Sequence, residues 1–329
     1  MARIGRRCRP DIGRNEAGFT LVEVMSALAI LALAITAVFA TFITQQRSFT
    51  VQNRVVEMQQ NIRQASEFMT RDVRVAGYGI PASVNIPDNA VAAGVTTFRS
   101  LYAKDGGTTN TDEIFVLYLY DMDANLPPTT ITAGMPTPSA NFKVASTTGF
   151  SDGDLVIITN GTSADLFQAT EVTEASLDIQ HNPGGSSRDY NAPGGHSTFP
   201  GYDSGSTLAK ARFVRYYIDS ATDPAHPTLM LDMMNGDAPQ PLADDIEDMQ
   251  FTYGLDTNAD GVVDTWSVSP ADTSQIRQVQ MELLARTPIP DAKWSETRPA
   301  LGNRTGGGTQ DGYRRRVMAV VIDVRNSGV

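Results

Sequence analysis

The sequence predicts an α+β protein in which one long N-terminal helix packs against a mostly antiparallel β domain. Three observations carry this. No glycine or proline occurs from Phe19 through Ala76, although the two account for 45 of the 329 residues (27 Gly and 18 Pro). Within that stretch, apolar residues recur at helical spacing. Beyond Pro81 the pattern changes to short β-branched and aromatic runs divided by Gly, Ser and Pro.

The helix opens on an apolar run. Val24 to Ile43 holds 20 residues without a charge, interrupted in polarity by Ser26, Thr36 and Thr41. At about 1.5 Å per residue the run spans roughly 30 Å, the thickness of a bilayer's hydrocarbon core. Past it, Val51, Val55, Met58, Ile62, Ala65, Met69, Val73 and Ala76 recur at steps of three or four. That is one apolar stripe on a continuing helix, with Arg54, Gln59, Arg63 and Glu67 available to the opposite side. Gly77, with Pro81 shortly after, is a stop signal. Residues 19–77 are therefore predicted to be one helix with a transmembrane first half (19–44), and residues 78–329 an exported β-rich domain.

Charge is unevenly spread along the chain. The whole carries −11, but residues 1–18 hold Arg3, Arg6, Arg7, Arg9 and Arg14 against Asp11 and Glu16, a net of +3 that leaves −14 for the rest. A basic flank before an apolar run keeps the N-terminus cytoplasmic and exports the chain beyond Thr44. The acidic body gives no general attraction to nucleic acid, and none is predicted as a partner. An ordinary cleaved signal peptide fits less well. Its A-x-A-like sites, Ala27-Leu28-Ala29 and Ala32-Leu33-Ala34, lie inside the apolar run. Cys8 is the one cysteine, so no intramolecular disulfide or Cys-based zinc cluster can form. It precedes Gly18, and removal of residues 1–18 would leave a chain with no cysteine.

In the body, strand candidates are Ile114–Tyr120, Leu155–Ile158, Phe167–Val172, Arg212–Ile218, Leu229–Met233, Met249–Tyr253, Val279–Leu284 and Val317–Val324. The stretches 182–205 and 302–312 read as long mobile loops.

The junction before the apolar run reads Gly18-Phe19-Thr20-Leu21-Val22-Glu23-Val24-Met25. A glycine ends the basic leader, and Glu23 places a lone carboxylate inside apolar sequence, where an unpaired charge is costly. This junction resembles the type IV prepilin signal. The resemblance implies a leader (1–18) removed by a prepilin peptidase after Gly18, methylation of the new amine on Phe19, and Glu23 facing the terminal amine of a neighbouring subunit. Three further stretches resemble PilW-type minor pilins: Phe68 through Tyr78, Leu242 through Gly254, and Tyr313-Arg314-Arg315-Arg316 with Arg325-Asn326.

The resemblance implies a type IV pilin-like fold and a minor pilin, a structural subunit that primes type IV pilus assembly or sits near the tip. It implies a single-pass bacterial inner-membrane protein with a periplasmic C-terminal domain, later in the pilus at the cell surface. Its partners would be other major and minor pilins through the N-terminal helix, with a tip adhesin a further candidate; cell adhesion and twitching motility are the processes concerned. A minor pseudopilin of a type II secretion system and a calcium-dependent surface adhesin stay open as alternatives.

One segment has metal-ligand spacing. Asp256, Asn258, Asp260 and Asp264 stand at positions 1, 3, 5 and 9 of an EF-hand-type loop, with Gly261 at 6 and the carbonyl of Val262 at 7. Calcium takes six to eight oxygens, and alternate residues of a tight loop can aim theirs at one centre. Position 12 is Ser267 rather than a bidentate Glu, and the flanks read as strands, so the expectation is a weak calcium site in a β setting. The competing reading is a polar hairpin turn closed by its own Asx hydrogen bonds.

Other polar groups read blandly. The run Asp244, Asp245, Glu247 and Asp248 reads as a solvated turn before a strand, and Arg314-Arg315-Arg316 as the charged start of the last strand. No Walker motif and no HExxH spacing occur, and Asp203-Ser204 lacks the G-x-S-x-G context. No catalytic constellation is visible, and an enzyme is not predicted.

Overall fold

The computed structural model describes residues 18–80, 83–87, 91, 95, 97–119, 128–135, 137, 140–182, 190–191 and 201–326. The basic leader through position 17 with Cys8, Pro81, Tyr120 and most of the expected 182–205 loop lie outside the described residues. Helix α1 runs over Leu21–Val75, 55 residues. The chain divides into two compact units, one ending at Asn53 and the other starting at Arg54, and α1 contributes to both.

In the first unit every residue from Gly18 to Thr50 is exposed. The polar interruptions are closed within the helix. Thr36, Thr41 and Thr44 donate their hydroxyls to the carbonyls of Ala32, Ala37 and Ala40 at 2.8, 3.0 and 2.9 Å. The segment therefore carries no unsatisfied side-chain hydroxyl at these positions, which is what passage through hydrocarbon demands. By length and composition α1 can cross a membrane.

The second unit is built of strands around the rest of α1. The first five are β1 (Val84–Asn85), β2 (Thr97–Phe98), β3 (Leu101–Lys104), β4 (Glu113–Leu119) and β5 (Thr129–Thr130). Then come β6 (Phe142–Lys143), β7 (Leu155–Thr159), β8 (Ala164–Gln168), β9 (Glu171–Thr173) and β10 (Asp178–Gln180). The long β11 (Thr207–Asp219) is followed by β12 (Thr228–Asp232), β13 (Gln240–Asp244), β14 (Ile246–Leu255) and β15 (Thr265–Ser267). The chain closes with β16 (Ile276–Arg286), β17 (Glu296–Arg298), β18 (Gly307–Asp311) and β19 (Arg315–Asp323).

Thirteen-residue β11 is the hub of the largest sheet. Its first half pairs with β5 and β7, its second half with β4 and β12, and the order runs β13-β12-β11-β7-β8-β1-β2. A second sheet has the order β15-β14-β16-β19. A three-stranded sheet β6-β10-β9 and the hairpin β17-β18 complete the set. Among the described pairs only β1–β8 is parallel, so the antiparallel expectation holds.

The predicted stripe is the packed face of α1. Met58, Ile62, Ala65, Met69, Val73 and Ala76 are buried, and Val55 is half-buried at the margin. They meet Val214 and Tyr216 of β11, Met249, Phe251 and Tyr253 of β14, Val279, Met281 and Leu283 of β16 and Ile322 of β19 in one core. Each fully buried Met, Ile or Val on that face is worth about 1.5–3 kcal/mol. The helix ends as the stop signal predicts: Gly77 takes a left-handed φ of 78° and donates its amide to Leu117 of β4 at 2.9 Å.

Three expectations need correction. The run Phe167–Val172 is two strands in different sheets, because the backbone changes partner between them. Ala169 donates to Asp154 and Thr170 to Gln180, each at 2.8 Å. The stretch 302–312 holds β18 and is fastened rather than free: Gly302 donates its amide to Glu282 at 2.7 Å, and Thr305 donates to Thr108. Within 182–205, Tyr190, Asn191 and Tyr202 are buried, and Asn191 exchanges two hydrogen bonds with the backbone of Gln168.

Candidate functional site

The N-terminal junction is built from local chemistry. Gly18, Phe19 and Thr20 precede the helix, and Phe19 is 87% exposed. Thr20 stands at the N-cap. Its amide and its hydroxyl both donate to Glu23 Oε2 at 2.9 Å, and Glu23 returns its own amide to the Thr20 hydroxyl at 3.3 Å. This is a reciprocal capping box, which satisfies free amides of the first turn. It also supplies Glu23 with donors inside the chain. The Gly18–Phe19 bond thus lies in an accessible, non-helical segment immediately before the helix start.

At the loop with metal-ligand spacing, the side chains are already engaged. Asp256 is buried. It accepts the amides of Asp260 (3.1 Å) and Gly261 (3.0 Å), and its Oδ2 pairs with Arg277 Nη2 at 2.9 Å. Asn258 Oδ1 accepts the Asp260 amide at 3.0 Å, and its Nδ2 donates to Asp260 and Asp264 at 3.1 and 3.3 Å. Asp260 accepts the Val262 amide at 2.8 Å. Asp264 accepts the amide and hydroxyl of Thr257, which hold its carboxyl below the usual carboxylate range. The five predicted positions are therefore drawn into one tight turn between β14 and β15. Among the described residues, no group of three or more His, Cys, Asp or Glu is arranged to hold a metal ion.

The acidic run before β14 is not the solvated turn expected. Asp244 is exposed, but Asp245 and Asp248 are buried. Asp245 lies at the corner with φ 61° and its carboxylate meets His226 Nδ1 at 2.9 Å. Asp248, inside β14, is clamped by Arg298 at 2.8 Å and Arg304 at 3.1 Å, so it anchors the 287–314 excursion to the sheet. Two of the three arginines at the start of β19 are paired as well, and the Arg315 side chain is buried. Arg314 pairs with Asp291, and Arg315 with Glu247 and Asp311.

Residues missed in sequence tie α1 to the sheet. Buried Asp72 accepts the hydroxyls of Tyr118 (3.0 Å) and Tyr216 (2.6 Å). Burial, then the Asp72 charge, pushes both phenols well above their ordinary range. The only sequence signal was an acid interrupting the apolar stripe between Met69 and Val73, and nothing local pairs it with tyrosines 46 and 144 residues away.

Residues 215–326 match the family model described as Type IV Pilus-assembly protein W, and residues 13–39 match the Prokaryotic N-terminal methylation motif. No curated protein matches the chain. Among solved structures, a type IV-like pilin from Thermus thermophilus is similar at 12% identity and a TM-score of 0.37, covering 82% of this chain and 98% of that one. The first family match takes in β12 to β19 with the acid clamp and the Asp256–Asp264 turn. The second takes in Gly18, Phe19 and the capped start of α1. That motif implies processing by a prepilin peptidase, and the assembly family implies other pilins as neighbours. Over residues 215–326 the chain is thus similar to the PilW family of type IV pilus-assembly proteins, and over residues 13–39 it matches the prepilin N-terminal methylation motif.

Proposed function

We propose that this chain is a minor pilin that primes pilus assembly or sits near the pilus tip, after cleavage behind Gly18 and methylation of the Phe19 amine. The observation that carries the reading is the exposed Gly18–Phe19 bond before a capped, membrane-length helix that also bears a β-rich unit beginning at Arg54. A globular part of that size suits a subunit used in few copies. Before assembly the protein sits in the inner membrane with its C-terminal part in the periplasm, and in the pilus its helix lies beside those of other pilins. Glu23, satisfied by Thr20 in the single chain, exchanges that partner for a neighbour's terminal amine on assembly. The Asp256–Asp264 turn takes calcium weakly, because the ion must displace Arg277 from Asp256.

The test is mass spectrometry of the N-terminus from a membrane fraction, together with deletion of the gene. The expected result is a chain beginning at methylated Phe19, loss of surface pili on deletion, and label at filament ends when an epitope is added to the body. An intact arginine-rich leader, or a start beyond Ala34, overturns the processing. Unchanged pili with lost protein secretion moves the chain to a secretion pseudopilin.

A further inference from the structure

The last strand, β19, lies at one end of its sheet. It pairs through nine residues with β16, and no described residue hydrogen-bonds to its other edge. From Val317 to Ile322 it carries no charge, no proline and no glycine. Met318, Val320 and Ile322 face the α1 core, whereas Val317 and Val321 stand 43% and 54% exposed on the opposite face with Ala319 between them. An uncharged open edge of this kind is a ready template for another strand, and exported proteins leave one uncovered only at risk of aggregation.

The charges around it are one-sided. Arg316 at the start of β19 and Arg63 on α1 flank a groove of about 210 Å³ whose other walls are Gln59, Ile62, Val317 and Met318. Neither arginine has an ion pair or side-chain hydrogen bond with a described residue, unlike Arg314 and Arg315 beside them. At the far end Asp323 is engaged by Gln278 at 2.8 Å.

We propose that the free edge of β19 receives an extended segment of a different pilus subunit by strand addition. That segment has an uncharged β-branched centre and two carboxylates at the end that meets Arg316 and Arg63. Main-chain hydrogen bonds along the edge supply affinity, and the two arginines set which end of the strand lies where. A second copy of this chain is the weaker occupant. Antiparallel pairing of β19 with itself would set Arg315 against Asp323, but its two-fold axis reverses Arg54–Val75 between copies. Subunits that enter one membrane by the same N-terminal segment run the same way. The inference rests on the assembly reading only for the source of the strand; the edge itself is tested independently of it.

The experiment uses the processed full chain in detergent micelles. The probes are fluorescently labelled, end-blocked decapeptides of alternating valine and threonine, with two aspartates at the C-terminal end, at the N-terminal end, or replaced by lysines. The expected result is binding of one aspartate-ended peptide, at least tenfold weaker binding to the Arg63→Glu/Arg316→Glu double variant, and recovery when that variant is offered a lysine-ended peptide. Both arginines are exposed, and the variant should unfold at the wild-type temperature. No binding at millimolar peptide, or binding indifferent to the charge reversal, overturns the proposal. In parallel, Ala319→Cys, the position that faces itself when Arg315 is set against Asp323, introduces the only thiol of the processed chain. Efficient disulfide dimerisation through it would assign the edge to a second copy and equally overturn the proposal.

Discussion

Asp72 on α1 accepts the hydroxyl of Tyr216 on β11 at 2.6 Å, beside the apolar core that α1 shares with the sheets. With Tyr118 donating to its other oxygen, the carboxylate is satisfied without a basic partner at the contact. Burial of such a group is tolerable only while both donors are present. Tyr216→Phe should therefore lower stability by about 1.5–3 kcal/mol, the range for a hydrogen bond to a charged group. Asp72→Ala should cost more, since it strands two buried hydroxyls. Thermal unfolding of the detergent-solubilised chain checks both, and wild-type behaviour of Asp72→Ala would mean that the tie is not structural.

Gly77 turns the chain from helix to sheet. Its φ is 78°, and a Cβ there would stand 2.9 Å from both the Asn326 carbonyl oxygen and Ser100 Cβ. Gly77→Ala meets backbone that cannot swing away, so the loss should exceed the roughly 1 kcal/mol that a left-handed φ alone costs a residue with a Cβ. The measurement is the same unfolding experiment, with Gly107→Ala as comparison. Gly107 has a φ of 69° but nothing within 4 Å of an added Cβ.

Stability should rise as pH falls from 8 toward 4, through His226 in an upper window and the buried carboxyls of Asp112, Asp245 and Asp248 in a lower one. The hydrogen bond that the His226 imidazole donates to Asp245 raises it above its ordinary value. Its contribution is full below the unfolded value of about 6.5 and is lost as pH climbs through the higher folded one. Burial pushes Asp112 up to about 6, despite the amides of Gly106 and Phe251 that it accepts. The folded state therefore holds that proton more tightly than the unfolded chain, and stability falls as pH climbs from about 4 to about 6. Below that, Asp178, Asp272 and Asp311, held under the usual range by Lys143, Ser274 and Arg315, reverse the trend. His226→Gln should flatten the upper window, and Asp112→Asn should make the lower one shallower while Asp245 and Asp248 keep part of it, read from unfolding temperatures across pH.

Calcium and Arg277 compete for Asp256. Isothermal titration should give weak binding to the wild type, several-fold tighter binding to Arg277→Gln, and none to Asp260→Ala. Silence from both wild type and Arg277→Gln at millimolar calcium would leave the turn as a purely backbone-capped hairpin.

The sequence by itself determined what is periodic or contiguous. The apolar run, the stripe from Met58 to Ala76, the stop at Gly77 and the strands around Ile114, Arg212, Met249 and Val279 are local patterns, and each sits in the structure where its spacing put it. The prepilin junction is likewise contiguous, eight residues that need no fold to be read. What only the tertiary structure decided is which polar groups meet. Asp72 with Tyr216, Asp248 with Arg298, Asp256 with Arg277 and Asp105 with Asn303 are separated by 144, 50, 21 and 198 residues. A carboxylate looks alike in sequence whether it faces water or an arginine. Solvated turn and buried clamp part company only once folding has removed the water and brought the distant donor, and no periodicity records that exchange.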